Sequence, residues 1–209
     1  MGRRILAIDT ATAACSAALF EDGAILASDY QEIGRGHAEK LIPIIASLPD
    51  KGKADQILVN GVPGSFTGVR IGLSVGKALG LAWQVPVFSY QCLHLVAVQA
   101  LAVNTPGGPF HVAMVGGHGE YFIQNFDANG GAVDNLRSLP PAEALAYGKG
   151  DLVAGSAAES LAELAANRTA IPMFPDAANT LHLPESERML SATPVYGRPP
   201  DARIMPQGA

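Results

Sequence analysis

The spacing of apolar and polar positions divides the chain into short strands and longer helices. Residues 4–9 (RILAID) form a β-type run that ends on an acid, and Thr10-Ala11-Thr12 make a small polar turn. Residues 15–20 and 24–30 are two more strands, joined by Glu21-Asp22-Gly23 with its Asp-Gly hairpin signal. Over 37–48, Leu and Ile fall at helical spacing, with Pro43 as a point of kinking. Residues 56–60 (QILVN) are an unbroken apolar strand of the kind buried on both faces. After a glycine-rich loop comes a long apolar helix, then a strand at 86–89 and a helix at 93–103. Asn104-Thr105-Pro106-Gly107-Gly108-Pro109 breaks the chain. The order then begins again: strands at 110–115, 120–126 and 132–139, a helix at 140–147, a strand at 151–154, and a helix at 156–166 capped by Ser156. Both halves thus read β-β-β-α-β-α, which predicts two mixed α/β lobes, 1–104 and 105–209, with a cleft between them. A weak last helix is expected over 179–190, and an irregular proline-rich tail over 194–200.

The stretch 60–82, NGVPGSFTGVRIGLSVGKALGLA, departs most from this ordinary pattern. Gly68, Gly72, Gly76 and Gly80 recur every fourth residue and so lie along one stripe of the helix. Each costs roughly 0.5–1 kcal/mol against alanine inside a helix, so the stripe implies close approach by another backbone. That backbone belongs either to the helix's own sheet or to a second protomer or partner subunit crossing over the glycines. On the second reading Ile71, Val75 and Leu79 flank the contact and supply its apolar area.

Composition narrows the function classes. The 209 residues are 48% hydrophobic and 16% charged, a globular composition with sparse surface charge, which favours an oligomer or complex. A net charge of −5, with no basic run longer than Arg3-Arg4, argues against autonomous binding to a phosphate backbone. Cys15 and Cys92 form no CxxC pair and imply reduced thiols in a cytoplasmic protein; no leader or membrane span is indicated.

Four stretches resemble one family: ILAIDTATAACSAAL (5–19), HAEKLIP (37–43), GVPGSFTGVRIGLSVGKALG (61–80) and PVYGR (194–198). They are similar to TsaB, also called YeaZ, the bacterial partner subunit of the machinery that makes threonylcarbamoyladenosine at position 37 of tRNA. The resemblance runs from about residue 5 to 87, weakens through the second half and returns at the tail. It implies a duplicated fold of the actin, Hsp70 and sugar-kinase type. It further implies pairing through the N-terminal lobe, as a homodimer alone or with the catalytic paralogue TsaD, in an assembly joined by the ATPase TsaE. The M22 glycoprotease label attached to such chains comes from the paralogue. One departure stands out: the family's Asp-Ala-Arg-like turn is replaced by Gly116-Gly117-His118 before Gly119-Glu120-Tyr121, so no role of that arginine carries over. The second lobe also looks short.

The residues themselves offer little chemistry. Kinases of this fold hold phosphate in an Asp-x-Gly loop; here the loop is Asp9-Thr10-Ala11-Thr12, without glycine or a nearby lysine. Asp9 would either meet a magnesium ion through water or cap a turn. The 61–68 loop is no Walker A motif, since Val69-Arg70 follow its last glycine; its amides and Arg70 either meet an anion or shape the helix and its contacts. The paralogue's His-x-x-x-His metal helix is matched only by His94, with Tyr90 and Val98 at the four-residue spacings and Cys92 on another side. Ser65 lacks the G-x-S-x-G elbow, and His37, His111, His118 and His182 nominate no base. The reading is therefore a non-catalytic subunit with no resident cofactor or metal, which the resemblance implies binds a TsaD-like paralogue and meets tRNA only through the complex. Its expected partner surface is His37, Leu41, Gly68, Arg70, Ile71, Gly72, Val75, Gly76, Leu79 and Gly80. The alternative is a small phosphotransferase or ATPase, with ATP and magnesium met by Asp9, Thr10, Ser65, Thr67 and Arg70; a weaker one is the M22 peptidase.

Overall fold

A computed structural model describes residues 2–165 and 167–193. The expected tail at 194–200 and the PVYGR stretch lie outside the described residues, as does the last residue of the helix expected at 156–166. Strands β1 (Arg4–Asp9), β2 (Ala14–Glu21) and β3 (Ala24–Glu32) form an antiparallel meander, with Asp22 and Gly23 at positive φ in the first hairpin turn. Helix α1 (His37–Ser47) leads to β4 (Gln56–Val62), parallel to β1. Pro43 lies inside α1 without ending it. Helix α2 (Phe66–Trp83), β5 (Val87–Gln91) and α3 (Cys92–Val103) follow.

The second half repeats the scheme with β6 (Phe110–Val115), β7 (Tyr121–Phe126), β8 (Arg137–Leu139), α4 (Pro141–Tyr147), β9 (Leu152–Ala154), α5 (Ala158–Glu163) and β10 (Thr169–Ile171). Its sheet order β10-β9-β6-β7-β8 is the order β5-β4-β1-β2-β3 of the first sheet, so the duplication is one of topology as well as of element order. The β6–β7 turn is tight: Gly116 and Glu120 bond across it, and His118 and Gly119 take positive φ.

Alternation along β1 and β4 sends side chains to two cores. Leu6, Ile8, Ile57 and Val59 face α1 and α2, whereas Ala7, Leu58 and Tyr90 face α3. Helix α3 is apolar nearly all round because it lies between the sheets: Leu95 joins the first, and Leu93, Val96 and Ala100 join Phe110, Val112 and Phe126 of the second. The far face of the second sheet packs on α4 and α5. There Arg168 ties the lobe together, donating to His111 Nε2 at 2.9 Å and to the Leu145 carbonyl at 2.9 Å. Ser156 is not the cap of α5; its hydroxyl accepts the Val115 amide at 2.9 Å.

Two features correct the sequence expectation. A 3-10 turn at Ala177–His182, the short α6 (Glu185–Arg188) and β11 (Leu190–Ser191) replace the single helix expected over 179–190. Strand β11 pairs antiparallel with β5, so the end of the described chain completes the first sheet rather than staying with the second half.

The glycine stripe faces the chain's own sheet. A Cβ at Gly76 would sit 2.5 Å from Val59 Cγ2, one at Gly72 2.6 Å from Thr10 Oγ1, and one at Gly80 2.3 Å from Val87 Cγ2. The expectation that Gly68, Gly72, Gly76 and Gly80 form a lane for another subunit is thereby corrected. All four are buried on the inward side of α2, and the close approach that the spacing requires is to the sheet and the loop after β1 within one lobe.

Candidate functional site

The sequence candidates meet at the end of β1, where the first loop, the start of α1 and the start of α2 line a cleft of about 750 Å3. Val115 and Ser156 reach it from the second lobe. Its walls come from backbone crowding. Ser65 caps α2, its hydroxyl accepting the Gly68 amide at 3.4 Å, while the Ser65 amide donates to the Ala11 carbonyl at 2.7 Å. A Cβ at Gly68 would fall 2.1 Å from the Thr10 carbonyl oxygen, so only glycine lets α2 press on the loop.

Asp9 and Thr10 lie beneath the cleft, not in it. The Asp9 side chain is 1% exposed; Oδ1 accepts the Ala11 amide at 3.0 Å, and Oδ2 accepts Asn60 Nδ2 at 2.8 Å and lies 3.0 Å from the Tyr90 hydroxyl. Burial pushes the Asp9 carboxyl up to about 7 against the pull of these hydrogen bonds. Thr10 Oγ1 donates to the Gly68 carbonyl at 2.7 Å. The loop amides of Ala11 and Ala14 are taken by the side chains of Asp9 and Thr12. Asp9 and Thr10 are thus occupied in holding the loop, which corrects their placing as ligand contacts. Ser65 and Thr67 do reach the cleft wall, and Arg70 lies round the corner on α2.

The expected partner residues divide as well. His37 is buried, its Nε2 3.1 Å from the Ala14 carbonyl, and Leu41 is fully buried in the core under α1. Neither presents a side chain to another subunit, because the first residues of α1 are what dock it on β2. Ile71, Val75 and Leu79 are half-buried against the first core. Arg70 is exposed, its guanidinium 3.5 Å over the ring of Phe66, itself 58% exposed. Ala38, Phe66, Thr67, Arg70, Ile71 and Val75 line a shallow, mainly apolar groove of about 410 Å3 between α1 and α2.

His94 is packed: Nδ1 is 2.7 Å from Glu187 Oε2, and its ring meets Phe126 edge-on at 5.4 Å. The Cys15 and Cys92 thiols are buried, and burial raises both above the ordinary thiol range. Among the described residues no three His, Cys, Asp or Glu side chains converge as a metal-binding group would require. Among the described residues no helix is long and apolar enough to cross a membrane. Asn60 and Tyr90, which surround Asp9, were not singled out from the sequence. The signal available was a polar residue ending the apolar run QILVN.

A family model described as TsaD, tRNA N6-adenosine threonylcarbamoyltransferase, matches residues 31–173. TsaB of Escherichia coli K12, described as a tRNA threonylcarbamoyladenosine biosynthesis protein, is 36% identical over 106 residues, 48% of this chain and 46% of the relative. TsaB of Bacillus subtilis 168 is 33% identical over 98 residues, 44% of this chain and 43% of the relative. The matched stretches therefore span about half the length of these curated relatives. The crystal structure of YeaZ from Pseudomonas aeruginosa superimposes with a TM-score of 0.78 at 26% identity, covering 93% of this chain and 99% of that one. With a family model over more than half its length and a fold shared with YeaZ over 93% of it, this chain belongs to the TsaB (YeaZ) family, within the group the TsaD model describes.

Proposed function

We propose that this chain is a non-catalytic partner subunit in the formation of threonylcarbamoyladenosine at position 37 of tRNA. It binds and stabilises a TsaD-like paralogue in an assembly that includes a TsaE-like ATPase, meets tRNA only through that assembly, and works in the cytoplasm. The observation that carries the reading is the burial of Asp9: the acid that ends β1 is spent on Ala11, Asn60 and Tyr90 instead of facing the cleft. The names of the TsaB relatives supply the pathway. The docking surface proposed is the outward face of α1 and α2, centred on Phe66, Arg70 and the groove beside Ala38. A second copy of the chain occupies the same face when the paralogue is absent. Apolar surface that the lobe leaves uncovered there is the type that aromatic and arginine anchors make productive at interfaces.

The test is a Phe66→Asp, Ala38→Glu double variant mixed with the organism's TsaD-like protein. Association is expected to fall at least about thirtyfold, the cost of losing a hot spot of about 2 kcal/mol, with the unfolding temperature unchanged. Wild-type association by the folded variant overturns the surface. Tight ATP–magnesium binding by the isolated chain, lost in Asp9→Ala, overturns the non-catalytic reading.

A further inference from the structure

With Asp9 ionised, the Tyr90 hydroxyl has one hydrogen for two acceptors, Ile8 and Asp9. The Tyr90 hydroxyl oxygen lies 2.9 Å from the Ile8 carbonyl and 3.0 Å from Asp9 Oδ2. A phenol has one hydrogen, a carbonyl only accepts, and a carboxylate only accepts. Both short contacts are full hydrogen bonds at once only when one of the acceptors carries a proton, and the carboxyl is the one able to. Tyr90 then donates to Ile8, and Asp9 donates to the Tyr90 oxygen. Asp9 Oδ1 still accepts from Ala11, and Oδ2 keeps a lone pair for Asn60 Nδ2 at 2.8 Å, whose own Oδ1 accepts the Val62 amide at 3.1 Å.

We propose that Asp9 is held as the neutral acid, and that its proton seats the 3-10 turn Ala177–His182 on the first sheet, as a proton-sensitive joint between that turn and the strands beneath it. Among the described residues the groups facing Asp9 are neutral or acidic: Cys15 from β2, Tyr30 from β3, Asn60 from β4, Tyr90 from β5, Cys92 at the start of α3, and Asp176, which caps the 3-10 turn. Burial, with Asp176 adding repulsion, raises the Asp9 carboxyl to about 7. Asp176 is itself raised by burial while accepting the Ala178 amide. The turn sits on the sheet through Ala177 and Leu183, and the Ala177 amide donates to Ser16 Oγ at 3.0 Å. Ionising Asp9 draws the Tyr90 hydrogen away from Ile8 and puts a charge opposite the Asp176 carboxyl across that contact. The joint is therefore firmest in acid and loosens as the proton leaves.

The experiment follows the Asp9 carboxyl carbon by nuclear magnetic resonance in the full chain, labelled and assigned, from about pH 5 to about pH 9. The same samples give the exchange protection of the Ala177 amide after correction for intrinsic rate. Expected are a neutral carboxyl at about pH 6 and a single step near 7, with protection falling up to roughly tenfold per pH unit below the step and levelling above it. An Asp9 carbon already ionised at about pH 6 overturns the proposal. So does protection at Ala177 that stays flat while Asp9 titrates.

Discussion

Gly68→Ala is the sharpest perturbation of the arrangement that shapes the cleft. The added methyl would stand 2.1 Å from the carbonyl oxygen of Thr10 and 3.2 Å from its carbonyl carbon. That group is backbone in the residue directly after β1, whose last ladder pair is Asp9 with Ser16, and it cannot turn aside as a side chain does. Alanine gains about 1 kcal/mol over glycine in a helix interior. Overpacking a close contact costs about 1–3 kcal/mol, and an immovable neighbour sets the upper end. The net loss is about 2 kcal/mol, which in a domain of this size lowers the melting temperature by about 4–8 °C. Gly76→Ala meets the Val59 side chain at 2.5 Å instead, and its net loss is about 1 kcal/mol. Ser74→Ala, on the exposed face of the same helix, serves as the control and gains a few tenths of a kcal/mol. Scanning calorimetry at two protein concentrations distinguishes the explanations. An unchanged melting temperature for Gly68→Ala, or a loss that disappears on dilution, refutes the intramolecular packing of the stripe.

Two buried groups give opposing pH dependences. Asp9, raised to about 7, makes the fold most stable below the ordinary carboxyl pKa and loses that stability as pH rises through 7. His111, lowered to about 4 by burial, does the reverse: its contribution is present above the ordinary imidazole pKa and disappears as pH falls through 4. Wild-type urea stability is therefore expected to be nearly flat between about pH 4 and about 6.5, whereas Asp9→Asn loses stability steadily on acidification over that range. Arg168→Lys removes the planar fork shared among His111, Gly150, Leu145 and Gly148, and costs about 1.5–3 kcal/mol by denaturant unfolding. Glu187→Gln leaves His94 a neutral partner and is expected to change stability by less than about 1 kcal/mol in the same assay.

Much of the fold was legible because its elements carry dense local signals. The Asp22-Gly23 hairpin, the helical spacing of α1 and the unbroken apolar run of β4 are each contained in fewer than a dozen residues. Strands β10 and β11 were missed because three and two residues hold no periodicity. Leu190 looked helical only because its pairing with Ser89 is invisible along the chain. The glycine stripe shows where the spacing of one element stops being informative. It demands a close neighbour, but whether Val59 or another subunit supplies it depends on which way α2 rolls onto the sheet. The site suffered most. Asp9 drew notice as an acid at a strand end, yet the side chains that enclose and bond it lie 51 and 81 residues away in Asn60 and Tyr90. Those partners arrive only when β4 and β5 come into register beside β1.

The late return of β11 to β5 has a consequence for how the protein is made. Ser89 and Ser191, joined by a 2.7 Å hydrogen bond, are separated by 102 positions. A ribosome needs on the order of ten seconds to add that many residues. Throughout that interval the nascent β5 has a bare outer edge, open to pairing with the wrong strand. A chain interrupted before residue 190 would emerge with an incomplete first sheet, so premature truncation should yield aggregates rather than a soluble N-terminal half.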